Sequence, residues 1–273
     1  MRRIPDDASC IRFSPDGRIL ACSDARDNWI RIWDVRSGRL KVKFLPPRAL
    51  SINCFAFSLD GTTLAMGGGG SDSDAQRVFV YDAKTWKLRR ALVYSGQGLV
   101  QGVACSPNGS MIAAMVNAAR EGVTRDNLEV LVWSLPTGKR LCWKVATEGD
   151  VPGGSVFFTR DGQGVVCGSH MLNLRDIKSK LRQVAKSANA WCLGPYSLDG
   201  RYALFARGWS PDSVQLLDVH NGRNVRSWKG TGNIEGGWTL FEPRSKMLIT
   251  QTLDTLDNRL EVRRLTMPNG QLK

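Results

Sequence analysis

The chain has 273 residues, and the 42% that are hydrophobic exclude an unfolded protein because they suffice for one large or two ordinary cores. Its formal net charge of +13 indicates that an acidic protein, an anionic surface or nucleic acid must be considered as partner. The N-terminal MRRIPDDASC lacks the apolar stretch of a signal peptide, and no apolar run approaches the roughly 18 residues of a membrane-spanning helix. We therefore expect a globular, cytoplasmic protein with no membrane partner.

A short turn signal recurs six times along the chain, as FSPDG at Phe13, FSLDG at Phe57, CSPNG at Cys105, FTRDG at Phe158, YSLDG at Tyr196 and FEPRS at Phe241. Each copy is followed by an apolar run, a polar loop and a second apolar run, and most units then continue into a turn and a basic segment. Short apolar segments between turns, without helical spacing, predict four short strands per unit and an all-β protein.

The first copy shows why a tight turn is expected between the first two strands of each unit. In Ser14-Pro15-Asp16-Gly17 the proline sets φ at the second turn position, and the aspartate can accept hydrogen bonds from neighbouring amides. The glycine accepts the left-handed conformation that closes a hairpin. Because many strands are apolar on both sides, the sheets should be covered on both faces, as small radially stacked sheets are.

The first unit also carries Asp27 before its third strand, the pair Trp33-Asp34 at the end of that strand, and a closing SGR turn. Together with SPDG these features resemble the WD-repeat β-propeller family, and the similarity covers nearly the whole chain. The family's Gly-His pair is absent from every unit, which leaves its buried hydrogen-bonded network incomplete. At the family's Trp position we expect Trp33, Tyr81, Trp133, Arg175, Leu217 and Arg263, the pattern of a divergent member.

The resemblance implies an all-β fold, a β-propeller of four-stranded antiparallel blades. We expect one domain over residues 1–273 with six blades, at about 5–46, 49–95, 97–147, 151–186, 188–230 and 233–273. The alternative is part of a seven- or eight-bladed ring. Such a propeller is expected to be a non-catalytic scaffold for protein partners.

Sequence signals for catalysis are few. With two histidines and no GxSxG, the usual nucleophilic and zinc arrangements are absent. Some enzyme propellers, lactonase-like hydrolases among them, hold a divalent cation in the channel, and the corresponding loops here offer the oxygen ligands of Glu148, Asp150, Asn189, Asn233 and Glu235. Only two of the six loops contain a carboxylate, which favours ordinary solvated acids. We predict no cofactor, no metal and no enzyme activity, with a metal-dependent propeller hydrolase as the alternative.

Two further features allow local interpretations. The run Gly67–Gly70 lacks the Lys-Ser/Thr and the helix of a phosphate-binding loop, so a flexible loop between strands is expected. The seven cysteines form no CxxC pair, and most lie within apolar runs (Cys10, Cys22, Cys54, Cys105, Cys167 and Cys192). They are predicted to be buried, reduced thiols.

The turns between strands one and two and between strands three and four open on the same face of a blade, and they carry many basic residues. We predict a basic face that includes Arg36, Arg39, Lys84, Lys87, Lys139, Arg140, Lys178 and Lys180. Nucleic acid, an anionic protein and a merely solvated rim are three interpretations of that charge. Nucleic-acid binding has little support from aromatic residues, since Trp86 and Trp143 are the nearest stacking candidates.

The longest loops open on the opposite face, and we expect the main partner-binding surface there because binding surfaces of repeat proteins are usually built from long loops. Trp and Arg are the residue types that most often anchor interfaces. The candidates for contact are Arg207, Trp209, Trp191, Trp238, Arg48 and Arg120. Packing between blades is the alternative role for Trp191 and Trp238.

Overall fold

The computed structural model describes residues 8–24, 26–47, 51–69, 77–94, 97–119, 127–148, 156–184, 190–196, 201–207, 213–229, 239–242, 247–254 and 259–266. In the fifth sheet's first strand, in the last three strands of the chain and at several strand ends it describes the backbone alone. Among the described residues, none belongs to a helix long and apolar enough to cross a membrane.

The described residues form 23 strands, arranged as five sheets of four strands and one of three. The first sheet contains β1 (Ala8–Phe13), β2 (Ile19–Asp24), β3 (Ile30–Asp34) and β4 (Arg39–Phe44). The second contains β5 (Ser51–Phe57), β6 (Thr63–Gly69), β7 (Arg77–Asp82) and β8 (Leu88–Val93). The third contains β9 (Gln97–Cys105), β10 (Met111–Ala119), β11 (Asn127–Ser134) and β12 (Arg140–Glu148).

The fourth sheet contains β13 (Val156–Phe158), β14 (Gly164–Cys167), β15 (His170–Asn173) and β16 (Arg182–Gln183). The fifth contains β17 (Ala190–Tyr196), β18 (Tyr202–Arg207), β19 (Ser213–Asp218) and β20 (Arg223–Lys229). The sixth contains β21 (Thr239–Glu242), β22 (Met247–Asp254) and β23 (Arg259–Thr266). In every sheet the strands follow one another in chain order, so the expected all-β meander pattern is confirmed.

The chain divides into two compact units, one of residues 1–151 with 156–158 and one of residues 152–155 with 159–273. The first unit contains the first three sheets and β13, and the second contains β14 to β23. The number of blades and the extent of the domain stay predictions.

The turn between the first two strands has the predicted chemistry. The Ser14 hydroxyl donates to Asp16 Oδ1 at 2.6 Å, and the same Oδ1 accepts from the Arg18 N–H at 3.0 Å. Gly17 has the left-handed φ of 70°. The next three sheets repeat this turn with Ser58–Asp60 at 2.5 Å, Ser106–Asn108 at 2.8 Å and Thr159–Asp161 at 2.6 Å between hydroxyl and carboxyl or amide oxygen. One local hydrogen-bond pattern therefore fixes the entry to the second strand in four successive sheets.

The core of the first unit lies between its sheets. One buried cluster joins the first and second sheets through Ile30, Ile32, Leu64, Met66 and Phe79. A second cluster joins the second and third sheets, and its largest side chain is Trp133, which is 1% exposed. The second sheet is thus covered on both faces by its neighbours, as apolar residues on both sides of its strands require.

The glycine run is not the flexible loop expected from its composition. Gly67, Gly68 and Gly69 are buried in β6, and Gly70 lies outside the described residues. A Cβ atom at Gly68 would lie 1.8 Å from the carbonyl oxygen of Ser51. The backbone of β5 approaches Gly68 too closely for any larger residue, whereas Gly67 and Gly69 face side chains of β9.

The strand register identifies the residues at the family's Trp position. Trp33, Tyr81, Trp133 and Leu217 each pair with the second residue of the preceding strand, so these four assignments are consistent with one another. All except Trp33 are buried at 4% exposure or less.

At this position in the fourth and sixth sheets, the sequence-based assignments are wrong. The residue paired with the second residue of β14 is Leu172, and the one paired with the second residue of β22 is Leu265. Arg175 is exposed beyond the end of β15, where its Nε donates to Gln163 Oε1 at 3.3 Å. Arg263 pairs two rungs away, with Thr250. In the fourth sheet the position is buried, with Leu172 1% exposed, and leucine fills it at lower cost than an unpaired guanidinium.

The described cysteines form no disulfide with one another, in agreement with the predicted reduced thiols (Cys10, Cys22, Cys54, Cys105, Cys142 and Cys167). Burial raises the pKa of Cys10 to about 11 and that of Cys105 to about 12, and it raises the pKa of Cys54 further. We expect iodoacetamide at pH 8 to leave these three thiols unmodified in the folded protein and to modify them in urea, because the thiolate is the reactive form. Peptide mapping by mass spectrometry measures each site. A Lys87→Cys variant, exposed in a turn, should react at once, and equally fast modification of Cys54 would contradict the expectation.

Candidate partner-binding surface

Turns join the third and fourth strands of the first three sheets, and they share one geometry. Gly38, Trp86 and Gly138 each donate a backbone N–H to the carbonyl four residues earlier, at 2.9, 2.7 and 2.8 Å. All three have left-handed φ angles, of 63°, 58° and 71°. Tryptophan is unusual in this conformation, but its side chain packs against the buried cluster between the first two sheets. The turns are therefore held by backbone hydrogen bonds and presented on rigid strands.

The acidic residues that precede two of these turns accept hydrogen bonds from nearby donors. Asp34 accepts from the Ser37 N–H at 2.8 Å and the Ser37 hydroxyl at 2.7 Å, which lower its pKa. Asp82 accepts from the Thr85 and Lys84 N–H groups and from the Arg89 guanidinium, which lower its pKa well below its usual range. These carboxylates are thus ionised and already paired within the protein.

The three turns and the residue that follows each form what we call the basic strip, residues 35–40, 84–88 and 136–141. Their sequences are VRSGRL, KTWKL and PTGKRL, and none contains an acidic residue. The basic side chains are exposed: Arg36, Arg39, Lys84, Lys87, Lys139 and Arg140. Within the described part of the chain, none of the six makes a side-chain hydrogen bond or a salt bridge of 4.0 Å or less. The strip therefore presents positive charge that no direct ion pair neutralises, although Arg36 is attracted to Asp34 at longer range.

Apolar side chains alternate with these charges. Each segment of the strip ends with a leucine at the start of an outer strand, and Leu40, Leu88 and Leu141 are 41%, 43% and 41% exposed. Val35 adds a fourth large apolar side chain at the same edge, 42% exposed. Leu40 and Leu88 occupy equivalent register positions, paired with Trp33 and Tyr81, whereas Leu141 lies one residue later, in the bulge of β12. A single exposed leucine is ordinary, but an exposed leucine near the start of the outer strand in three adjacent sheets is a surface pattern.

One contact links the second and third segments of the strip. Arg90 of β8 donates from Nη2 to the Pro136 carbonyl at 3.0 Å and from Nη1 to the Thr137 carbonyl at 3.3 Å. Between the first two sheets the outer strand makes an apolar contact at its far end from the strip, with the Phe44 and Tyr81 rings 4.9 Å apart between centroids. The second and third segments are thus held together by a hydrogen-bonded contact.

The second unit uses the same arginine contact. Arg182 of β16 donates to the Val219 and His220 carbonyls, both at 3.0 Å, in the turn that follows β19. Sequence reasoning missed this pair, because aligning KLRR at Lys87 with KLRQ at Lys180 matches Arg182 to Arg89. A bulge in β8 shifts the register by one residue, and Arg90 becomes the true equivalent.

Replacing Arg90 with methionine is expected to lower the free energy of unfolding by about 1 kcal/mol, because two turn carbonyls lose a charged donor while the apolar stem is kept. Urea unfolding followed by tryptophan fluorescence measures the change. Arg39→Met is the matched control, since Arg39 is exposed and makes no described side-chain hydrogen bond, and it should change stability by less than about 0.5 kcal/mol. Equal effects of the two substitutions would contradict a structural role for Arg90.

The other predicted basic residues, Lys178 and Lys180, are exposed between β15 and β16 in the second unit. Among the predicted long-loop residues, Arg207 is the last residue of β18 and Trp191 the second of β17. Arg207 pairs with Ala190, and Trp191 pairs with Ala206, so the two occupy neighbouring rungs at one end of the fifth sheet. Trp209, Trp238, Arg48 and Arg120 lie outside the described residues.

The candidate metal ligands can be placed only in part. Glu148 is the last residue of β12 and pairs with Asn127, whereas Asp150, Asn189, Asn233 and Glu235 lie outside the described residues. Across the described ranges, no three His, Cys, Asp or Glu side chains come together as a metal-binding group.

The loop before β3 contains Asp27, the aspartate expected from the resemblance to the WD-repeat family, and the first sheet holds it in place without the family's Gly-His pair. Arg31 donates from Nη1 to Asp24 and Asp27, at 3.2 Å each, and also pairs through Nη2 with Asp27. Lys43 lies over the Trp29 ring, 4.2 Å from its centroid. An arginine with two carboxylates therefore secures this loop.

Comparisons with known proteins agree with this architecture. Residues 5–34 match the family model described as "WD domain, G-beta repeat". Over 133 residues, 49% of this chain and 13% of the relative, the chain is 26% identical to Periodic tryptophan protein 2 of Arabidopsis thaliana. Over 78 residues, 29% of this chain and 17% of the relative, it is 32% identical to WD repeat and SOCS box-containing protein 1 of Danio rerio. The matched parts thus span less than a fifth of each of these curated relatives.

Solved structures share the fold at low sequence identity. The RRP9 WD40 repeats superpose with a TM-score of 0.65 at 14% identity, covering 97% of this chain and 82% of theirs. A chain from the Mitotic Checkpoint Complex superposes with a TM-score of 0.68 at 12% identity, covering 96% of this chain and 77% of its own. The predicted all-β propeller fold is thereby confirmed, and the N-terminal sheet carries the match to the WD-repeat family model.

Proposed function

We propose that this protein is a non-catalytic scaffold that binds a protein partner on the face formed by its long loops. WD-repeat relatives indicate an interaction role in general terms. The observation that supports this face is the register of β17 and β18, in which Trp191 and Arg207 both lie at the end of the fifth sheet where the 208–212 segment begins. Trp and Arg are the side chains most often responsible for binding energy at interfaces.

The proposal includes a cytoplasmic location. The six described cysteines form no disulfide with one another, and reduced thiols are favoured in a reducing compartment. No described observation favours the propeller-hydrolase alternative, for which Glu148 is the one described candidate ligand.

Affinity capture from the source lysate tests the proposal, with the wild type beside Arg207→Ala and Trp209→Ala. We expect the wild type to retain one or more proteins that both variants lose. Arg223→Ala is the matched control, because Arg223 is exposed at the opposite end of the fifth sheet, where it pairs with Asp218. If no protein is retained by the wild type, the scaffold function is wrong. If both variants retain the partner, the long-loop face is wrong.

A further inference from the structure

The basic strip has two properties that a merely solvated rim does not require. Its six basic side chains make no described side-chain hydrogen bond or salt bridge, and Arg36 has only a longer-range attraction to Asp34. The neighbouring Asp34 and Asp82 are held by local N–H groups and cannot turn further toward those bases without losing these bonds. A ligand that brings carboxylates would therefore find the charges available at little cost in broken internal contacts.

The strip's apolar residues distinguish among anionic ligands. Leu40, Leu88 and Leu141 are aliphatic, and Trp86, the aromatic residue of the strip, packs against the cluster between the first two sheets. Nucleic acids gain affinity from exposed aromatic rings on which bases stack, and the strip offers none among its described side chains. Aliphatic side chains beside lysine and arginine fit a protein segment that carries both acidic and large apolar residues.

The geometry points to this occupant, and we propose that the basic strip binds an extended or helical protein segment in which Asp or Glu alternates with Leu, Ile or Val. The inference rests on the proposed scaffold function and adds a second surface with a defined ligand chemistry. Three repeats of a two-base, one-leucine pattern on adjacent sheets allow several weak contacts to act together. The Arg90 contact to Pro136 and Thr137 holds the second and third repeats in register.

Fluorescence anisotropy with synthetic peptides tests the inference on the full chain. The probes are a labelled peptide of repeating Glu-Leu-Asp-Leu, a peptide of the same length with Glu-Ser-Asp-Ser, and poly-uridylate. We expect the leucine peptide to bind more tightly than the serine peptide and than poly-uridylate. Lys84→Glu/Lys87→Glu and Lys139→Glu/Arg140→Glu should each weaken the leucine peptide by about tenfold or more.

Two controls separate the contribution of the strip's charges to binding from the contribution of its leucine side chains. Arg160→Glu/Arg223→Glu makes the same change in net charge on exposed residues of the second unit, and it should alter affinity by about twofold or less. Leu88→Ser/Leu141→Ser should weaken the leucine peptide while leaving the serine peptide unchanged. Circular dichroism confirms that each variant is folded.

Three results would overturn the inference: tighter binding of poly-uridylate, equal binding of the two peptides, or an equal loss from the second-unit control. Its failure is distinguishable from failure of the scaffold function. Capture of a partner by the wild type together with no peptide binding rejects the strip alone, whereas peptide binding without any captured partner leaves the strip's peptide affinity intact and rejects the scaffold function.

Discussion

The Gly68→Ala variant is expected to lose about 3 kcal/mol or more of unfolding free energy, a large fraction of a domain's stability. The new Cβ would lie 1.8 Å from the Ser51 carbonyl oxygen and 2.9 Å from the Ile52 Cα. Both are backbone atoms of the paired strand β5, so relief requires β5 and β6 to separate and weakens their hydrogen bonds. Chemical denaturation at constant pH measures the loss.

Gly69→Ala is the matched control for this prediction. The two glycines are adjacent in β6, but a Cβ at Gly69 would meet the Cδ2 atom of Leu99, at 2.2 Å. Leu99 is 45% exposed, so its side chain can rotate away from the new methyl group. We expect this control to lose about 1 kcal/mol or less. Equal losses for the two variants, or a stable Gly68→Ala, would mean that the close approach of β5 is not what requires glycine.

Features controlled by local sequence could be predicted, and the SPDG turn is the clearest case. Ser14, Asp16 and Gly17 form it through hydrogen bonds within a few residues, so their identities suffice to specify the turn. The glycines of β6 could not be interpreted this way. The atom that excludes a side chain at Gly68 belongs to Ser51, and nothing in the sequence near Gly68 indicates that approach.

The candidate surface also has features that could be predicted from local sequence and features that could not. Exposure of Lys84, Lys87 and Lys139 follows from their place in polar turns, and the sequence predicted these bases together. The contact of Arg90 with the next sheet depends on a bulge in β8, which no residue pattern announced. The sequence also did not predict that Asp82 pairs with local donors. Because of this pairing, the neighbouring bases have no internal counterion.

The second large prediction concerns the strand register of the fourth sheet. The sequence pattern assigned Arg175 to one buried position, and the register assigns Leu172 to it. Leu172 is 1% exposed and pairs with Val165 of β14, whereas Arg175 is exposed after β15 ends. The resemblance of Arg175-Asp176 to Trp33-Asp34 made the wrong alignment attractive. Asn173 takes the place of Asp34 instead, since it pairs with the first residue of β14 as Asp34 pairs with the first residue of β2.

We therefore expect Leu172→Ala to cost about 2–4 kcal/mol of unfolding free energy, from lost burial and the cavity left behind. Arg175→Ala should cost less than about 0.5 kcal/mol, because it removes one exposed hydrogen bond to Gln163. Leu181→Ala, a leucine truncation at a half-buried position in the same sheet, controls for the loss of a leucine side chain as such and should lie between the two. Urea unfolding of the variants at equal concentration measures these differences. A large loss from Arg175→Ala with a small loss from Leu172→Ala would restore the sequence alignment and show that β15 is shifted by three residues, because only the buried occupant of the position can create a cavity in the core.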